Sequence, residues 1–351
     1  MEIIKASRKG KEFSDRHCVS ETPSSGGSKI ILRFINFEPW QSMHMQRNAS
    51  SDTILYFVDG NAYALLRDGV MLVGPKEAVY VPKLSSYGIL ADENDLTVVA
   101  IHGPSPIIEQ IPGVQFQCPE CGLEAPLTTD TTNGEINMCP RCETMVKLTK
   151  GPERFLAEKT TEGTTRETTQ DSGTLPESGI ASFESGSSSE PTFTDPQTSS
   201  EQPHEQPQID MTIINFEPWQ SMPMQRNVSS DTMLYIVRGQ GIAFVEDDEQ
   251  SVKENEAIHI PTGSAYALLA ADNHMIVMMA QGPIPVEISE VKGFEYFCPA
   301  CGLETPVTTN TWNDCITVCP RCNIKLQLKK TEQGFLAEET TEKAPTQAEA
   351  Q

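Results

Sequence analysis

Short apolar runs separated by turn residues recur along this chain, and none shows the three-to-four-residue beat of an amphipathic helix. "DTILYFVDG" (52–60) and "DTMLYIVRG" (231–239) are rich in branched and aromatic residues and stop at glycine. "AVYVP" (78–82) and "AIHIP" (257–261) alternate and then stop at proline. "LTVVAIHGP" (96–104) and "HMIVMMAQGP" (274–283) are continuous runs of buried-strand length closed by Gly-Pro. Closely spaced short strands predict a mainly β architecture, a sandwich or a barrel.

The pattern is stated twice. Asn36, Pro82, Tyr87 and Gly103 recur as Asn215, Pro261, Tyr266 and Gly282, and after one inserted residue Cys118 recurs as Cys298. So long a period marks a duplicated domain rather than a solenoid. "FEPWQSMHMQRN" (37–48) returns as "FEPWQSMPMQRN" (216–227), with His44 replaced by Pro223. Between the copies lies a stretch dominated by Ser, Thr, Glu, Pro and Gly, which cannot bury enough surface to offset its ordering entropy. The expected organisation is a disordered N-terminus (1–28), barrel 1 (29–112), a cysteine module (113–150), a disordered acidic linker (151–210), barrel 2 (211–292), a second cysteine module (293–330) and a disordered C-terminus (331–351). The two repeats can act independently or pair as a pseudo-dimer, and a homo-oligomer is equally compatible with the pattern.

Composition narrows the function classes. The 351 residues carry a formal charge of −23, which opposes binding to phosphate-rich nucleic acid or anionic membranes. No run of eighteen apolar residues is present, and the N-terminal residues lack the apolar core of a secretory signal. A cytoplasmic protein is the expectation. Eight of the ten cysteines fall in Cys-x-x-Cys pairs, which in such a chain points to metal binding rather than disulfides.

The pairs are Cys118 with Cys121 and Cys139 with Cys142, then Cys298 with Cys301 and Cys319 with Cys322. A two-residue gap lets one tight turn aim two sulfurs at one ion, and two such knuckles complete a tetrahedral S₄ site. Gly122 and Gly302 let the backbone fold back so that N–H groups meet the thiolates. The modules resemble zinc ribbons and are similar also to rubredoxins, which hold iron. The intervening segments lack the aromatic cluster expected around a rubredoxin iron, so two Zn²⁺ per chain are expected, with iron as the alternative. Four thiolates leave no open coordination position, so the sites read as structural. Cys315, where the first copy has Glu135, is not a shared ligand.

The order "YIVRGQGIAFVEDDEQSVKENEAIHIPTGSAYALLA" (235–270), with its Gly-x-Gly turn and later Pro-x-Gly, resembles the cupins. That resemblance covers about residues 34–104 and 213–283 and implies a jelly-roll barrel in each repeat. Enzymatic cupins hold a metal inside the barrel with histidines and a glutamate. Counted back from Gly60 and Gly239, the glutamate slots fall near Thr53 and Thr232. The paired histidine slots fall near Gln46 and Asn48, and near Gln225 and Asn227; the last slot is Tyr87 or Tyr266. No histidine recurs at matching places in both copies, and imidazole and carboxylate are what such ions prefer. The shared amides, hydroxyls and guanidinium groups of Gln46, Arg47, Asn48, Thr53 and Tyr87, matched by Gln225, Arg226, Asn227, Thr232 and Tyr266, suit a small polar or anionic ligand. Alternatively the segment is a surface turn bonding its own backbone. The reading is a non-enzymatic, zinc-binding tandem protein that takes a small polar ligand or a protein partner. The alternatives are a metal-dependent oxygenase or isomerase and a nucleic-acid-associated regulator.

Overall fold

The computed structural model describes residues 2–5, 19–21, 29–67, 69–103, 106–160, 180–182, 208–284 and 286–341, the segments 2–5, 19–21 and 180–182 as backbone only. Every helix or strand assigned among them is a strand, and none is a helix long and apolar enough to cross a membrane. The chain separates into two compact units, one built on each repeat.

In the first unit two sheets of antiparallel strands enclose the core. One runs in the order Ile180–Ser182, Glu77–Val81, Asp52–Asp59, Leu96–Gly103, Ile31–Phe37 and Val19–Glu21. The other runs Ile108–Gln110, Ser42–Asn48, Ser86–Ala91, Ala62–Leu66 and Gly69–Val73. Neighbours that are not consecutive in sequence give the jelly-roll crossing pattern. Ile35, Phe37, Leu55, Phe57, Val79 and Val98 meet Ala64, Tyr87 and Ile89 between the sheets. Ile54, Tyr56 and Val99, on the opposite faces of the same strands, are buried as well, which explains why these strands read as unbroken apolar runs.

The second unit repeats the design. Its sheets run Glu2–Lys5, Glu256–Ile260, Asp231–Arg238, Met275–Gly282, Asp210–Phe216, and Asp248–Lys253, Gln240–Val245, Ala265–Ala270, Ser221–Asn227, Ile288–Glu290.

Each barrel is followed by a small five-stranded sheet. In the first unit its order is Glu124–Pro126, Gln115–Gln117, Phe155–Lys159, Met145–Lys150, Ile136–Met138. In the second it is Glu304–Pro306, Glu295–Phe297, Phe335–Glu339, Lys325–Lys330, Cys315–Val318. The strands Phe155–Lys159 and Phe335–Glu339 correct the expected boundaries, because they lie in stretches read as linker and tail. Each pairs antiparallel with the strand before it and meets the first strand of its ribbon in parallel. Phe155 and Phe335 supply the reason: both are buried in the core beneath the ribbon, so two apolar residues hold an otherwise charged segment in place. Glu2–Lys5, Val19–Glu21 and Ile180–Ser182 likewise form backbone ladders in segments expected to be disordered. The remainder of those segments (1, 6–18, 22–28, 161–179, 183–207 and 342–351) lies outside the described residues.

The repeated phrase acquires its meaning here. Met43 pairs with Ile89 and Gln46 with Tyr87, so three steps on one strand match two on the other. Met222 and Gln225 do the same against Leu268 and Tyr266. The extra residue is a β-bulge that switches the facing of the strand. Met43 belongs to the barrel core, whereas Met45 belongs to the core shared with the ribbon. His44 and Pro223 occupy the bulge itself, a place where a strand tolerates proline because ladder pairing is already broken.

Candidate metal centres and barrel interiors

The ribbon knuckles bring the eight expected cysteines into two groups of four, with the sulfurs of each group all within 4.8 Å of one another. Cys118 and Cys142 lie 3.6 Å apart, as do Cys121 and Cys139. The distances in the second ribbon are the same for Cys298 with Cys322 and Cys301 with Cys319. A tetrahedron with Zn–S bonds of about 2.3 Å has edges of about 3.8 Å, so these sulfurs stand where a four-coordinate ion would put them. A disulfide would require about 2.05 Å. Among the described residues these two are the only groups of three or more His, Cys, Asp or Glu side chains arranged to hold an ion.

Local backbone geometry builds each knuckle. Gly122 and Gly302 have φ of 73° and 70°, as their sequence position suggested. Glu143 and Asn323, which follow the second knuckle in each copy, take the same left-handed conformation at 57° and 59° although they are not glycine. The fold-back aims N–H groups at sulfur: those of Arg141 and Cys142 reach Cys139, and those of Arg321 and Cys322 reach Cys319. Such hydrogen bonds stabilise thiolate, the form a metal requires.

The centres are not appendages. Cys118 and Cys139 share a buried cluster with Phe116, Val146, Leu148 and Phe155 of the ribbon and with Met45, Leu65 and Leu90 of the barrel. In the second unit Cys298 and Cys319 share theirs with Leu326, Leu328 and Phe335 and with Met224, Phe244 and Leu269. Trp40 and Trp219, both at φ 65°, pack on the edges of these clusters. The Arg141 guanidinium lies 6.0 Å from the centre of the Trp40 ring. Cys315 stands outside the four-thiol group, half-buried, with its thiol pushed up by burial.

The barrel residues divide. Gln46 and Tyr87 are buried and bonded, the amide Nε2 donating to the phenol oxygen at 2.8 Å; Gln225 donates to Tyr266 at 2.9 Å. Thr53 and Thr232 are fully buried on the same inner face. Asn48 Oδ1 accepts from the N–H groups of Ser50 and Ser51, and Asn227 Oδ1 does so from Ser229 and Ser230. That part of the phrase is therefore a turn bonding its own backbone, while the Asn48 and Asn227 amides also reach Thr53 and Thr232. Arg47 points outward to an exposed ion pair with Glu109 at 2.7 Å. The bulge sets this facing: Gln46 and Asn48 turn in, Arg47 turns out, and a barrel ligand has no access to Arg47. Arg226 is half-buried, and its Nε has no partner among the described residues.

Two inner residues escaped the reading of the sequence. His102, fully buried in barrel 1, sits 3.0 Å from the Thr53 hydroxyl through Nδ1, and its Nε2 has no partner. Burial, and secondarily the charge of Arg33, pushes its pKa down to about 3, so the ring is neutral. Arg33, half-buried on the strand Ile31–Phe37, acts on the Tyr87 hydroxyl as well. Barrel 2 has Thr212 and Gln281 at these places, the latter bonding Thr232 at 3.1 Å. The signal was parity: His102 follows Val98 and Ala100 at steps of two, and Arg33 precedes Ile35 and Phe37 in the same way. Comparing the copies for shared histidines set His102 aside, and Arg33 lies just before the span in which the repeats were compared.

No protein-family model matches the chain, and no curated protein matches it. Solved structures similar to it include procruciferin, an 11S globulin from Brassica napus, at 9% identity over 80% of this chain and 84% of that one, with a TM-score of 0.50. A deletion variant of Bacillus subtilis oxalate decarboxylase is similar at 9% identity over 82% and 79%, with a TM-score of 0.51. A variant of salicylate 1,2-dioxygenase from Pseudoaminobacter salicylatoxidans is similar at 9% identity over 79% and 78%, with a TM-score of 0.50. These likenesses show the fold, which in its neighbours serves both enzymes and a globulin. The chain is a tandem cupin-fold protein in which each barrel is followed by a four-cysteine module able to hold a metal ion.

Proposed function

We propose that this is a non-catalytic binding protein whose two barrels are braced by zinc ribbons, and whose first barrel accepts a small polar or anionic ligand. The observation that carries the reading is the chemistry of the inner face. At the positions where cupin enzymes keep metal-binding imidazoles and carboxylate, this chain has Gln46, Asn48, Thr53 and Tyr87, engaged with one another and with His102. Neutral amides and hydroxyls are poor ligands for iron, manganese or nickel and good hydrogen-bond partners for a polar molecule. Arg33 supplies the positive charge that favours an anion in barrel 1, and Thr212 does not supply it in barrel 2. The ribbons fit zinc through four thiolates that leave no site for substrate, so their role is to fix the barrel face on which they pack.

Elemental analysis of the full chain, purified without added metal, tests this. Two zinc ions per chain are expected. A third ion of iron, manganese or nickel would return the protein to the metal-dependent oxygenases or isomerases. Iron in place of zinc at two per chain would revise the ion and leave the bracing role standing.

A further inference from the structure

The second unit contains a cavity of about 200 Å³ between its barrel and its ribbon. Its exposed lining is mostly polar, with Thr308, Asn310, Thr311 and Thr317 beside Phe244 from the barrel and Ile316 from the ribbon. Deep in it stand two hydroxyls, Tyr296 Oη and Thr305 Oγ1, on side chains that are 1% and 4% exposed. They are neighbours across the ladder and close enough for Thr305 to act on the Tyr296 hydroxyl, but neither makes a hydrogen bond of normal geometry with any described residue. Buried hydroxyls are ordinarily satisfied, so an unpaired pair facing one cavity calls for something to occupy it.

The first repeat shows that the arrangement is not required by the fold. Phe116 and Ala125 form the same cross-strand pair there, with no hydroxyl at all. Among the other cavity-lining positions that differ, Thr132 becomes Trp312, Glu135 becomes Cys315, Val70 becomes Glu249 and Tyr63 becomes Ile242. The second copy thus places two hydroxyls where the first copy's cross-strand pair has none, and an indole where the first has threonine, Trp312 being 54% exposed.

We infer that this cavity is a second binding site, specific to the second repeat, for a small uncharged or cationic amphipathic molecule of about one ring. Size sets the first limit, since at about 30 Å³ per water the cavity holds roughly six or seven waters. Charge sets the second. No lysine, arginine or histidine lines the cavity, and Glu249 stands at its rim at the end of the acidic run Glu246-Asp247-Asp248-Glu249. An anion is disfavoured there, in contrast to barrel 1. The ring packs on Phe244, Ile316 and Trp312, and its polar head meets Tyr296 and Thr305, each of which can donate or accept.

Calorimetric titration of the full, metal-loaded chain with phenol, benzylamine and benzoate tests the assignment. Phenol and benzylamine are expected to bind at one site per chain, and benzoate at least about tenfold more weakly. The double variant Tyr296→Phe with Thr305→Ala, which copies the first repeat, is expected to weaken phenol binding at least about tenfold while keeping both metal ions, because a site built around hydroxyls loses its selectivity without them. Trp312→Thr, at an exposed position tolerant of change, gives an independent loss if the double variant fails to fold. Absence of heat from all three probes at millimolar concentration would mean that water alone serves the hydroxyls, and would overturn the inference. So would phenol binding unchanged in the variants, or benzoate binding as tightly as phenol and weakened by the same double variant, which distinguishes this cavity from barrel 1. None of these outcomes bears on the metal count that tests the proposed function.

Discussion

Replacing Cys319 by serine removes one thiolate from the second centre and leaves the first intact. Zinc binding by small Cys-ligated modules is worth about 10–16 kcal/mol in apparent free energy, so one ligand of four carries about 3 kcal/mol, or roughly two orders of magnitude in Kd. Cys319 is fully buried and receives two backbone N–H groups, which leaves a hydroxyl oxygen little room to reach the same point. The effect does not stop at the ion. A ribbon of this size does not hold a core unaided, and its loss uncovers Phe244 and Leu269 on the barrel, now 2% and 1% exposed. At about 1.5–3 kcal/mol for each large apolar side chain, those two residues alone represent about 3–6 kcal/mol, a large part of the stability of a typical domain. Counting zinc with a chromogenic chelator should give one ion per chain in Cys319→Ser at chelator concentrations that leave two in the parent. Chemical denaturation should show the second unit unfolding well before the first. The reasoning fails if the variant keeps two ions at parental affinity, or if it loses one and the second unit unfolds at an unchanged midpoint.

Further outcomes follow from the barrel interiors. Because burial holds His102 neutral with a pKa near 3, the folded state does not take up the proton that the unfolded chain binds below about pH 6.5, so stability is intact above that pH and falls by about 1.4 kcal/mol per unit below it. His102→Gln should flatten the pH dependence of the first unit's denaturation midpoint between pH 7 and 5, and an unchanged slope would place the titrating group elsewhere. Burial alone would raise the pKa of Asp231, but bonds from His259, the Lys29 N–H and Thr262 outweigh it and hold the carboxyl well below the usual range. Asp231→Asn should cost the second unit about 2–3 kcal/mol in urea unfolding at neutral pH, and the loss should shrink as acid protonates the parent, since the contribution exists above the carboxyl's ordinary pKa and fades below it. Tyr87→Phe strips the Gln46 amide of its phenol partner inside barrel 1 and should cost about 1–2 kcal/mol, with the equivalent Tyr266→Phe cheaper because Gln225 is only half-buried. Equal losses at the two sites would contradict that ranking.

The β character, the duplication and all eight ribbon thiols were legible because each rests on local pattern: turn residues bounding apolar runs, and a two-residue gap that one tight turn can satisfy. Facing was less accessible. A strand's inward and outward residues alternate only while its register holds, and nothing in "SMHMQRN" announces the extra residue that turns Gln46 in and Arg47 out. His102 was hidden for a different reason, since a residue present in one repeat vanishes when repeats are compared for what they share, and Arg33 lies just before the span compared. Phe155 and Phe335 escaped because tertiary burial of one aromatic residue can order a strand whose composition reads as linker.

The bulge at His44 and Pro223 also governs how the chain can change over time. Upstream of it, Met43 answers to the barrel; at Met45 the same strand already answers to the ribbon. Losing the extra residue itself would only restore two steps against two and leave Gln46 facing Tyr87; losing a single codon just beyond it would reverse every later side chain of the strand and send Arg47 into the barrel. Substitutions at the bulge are cheap, as proline in one copy attests, whereas a change of length outside it would disturb the barrel interior.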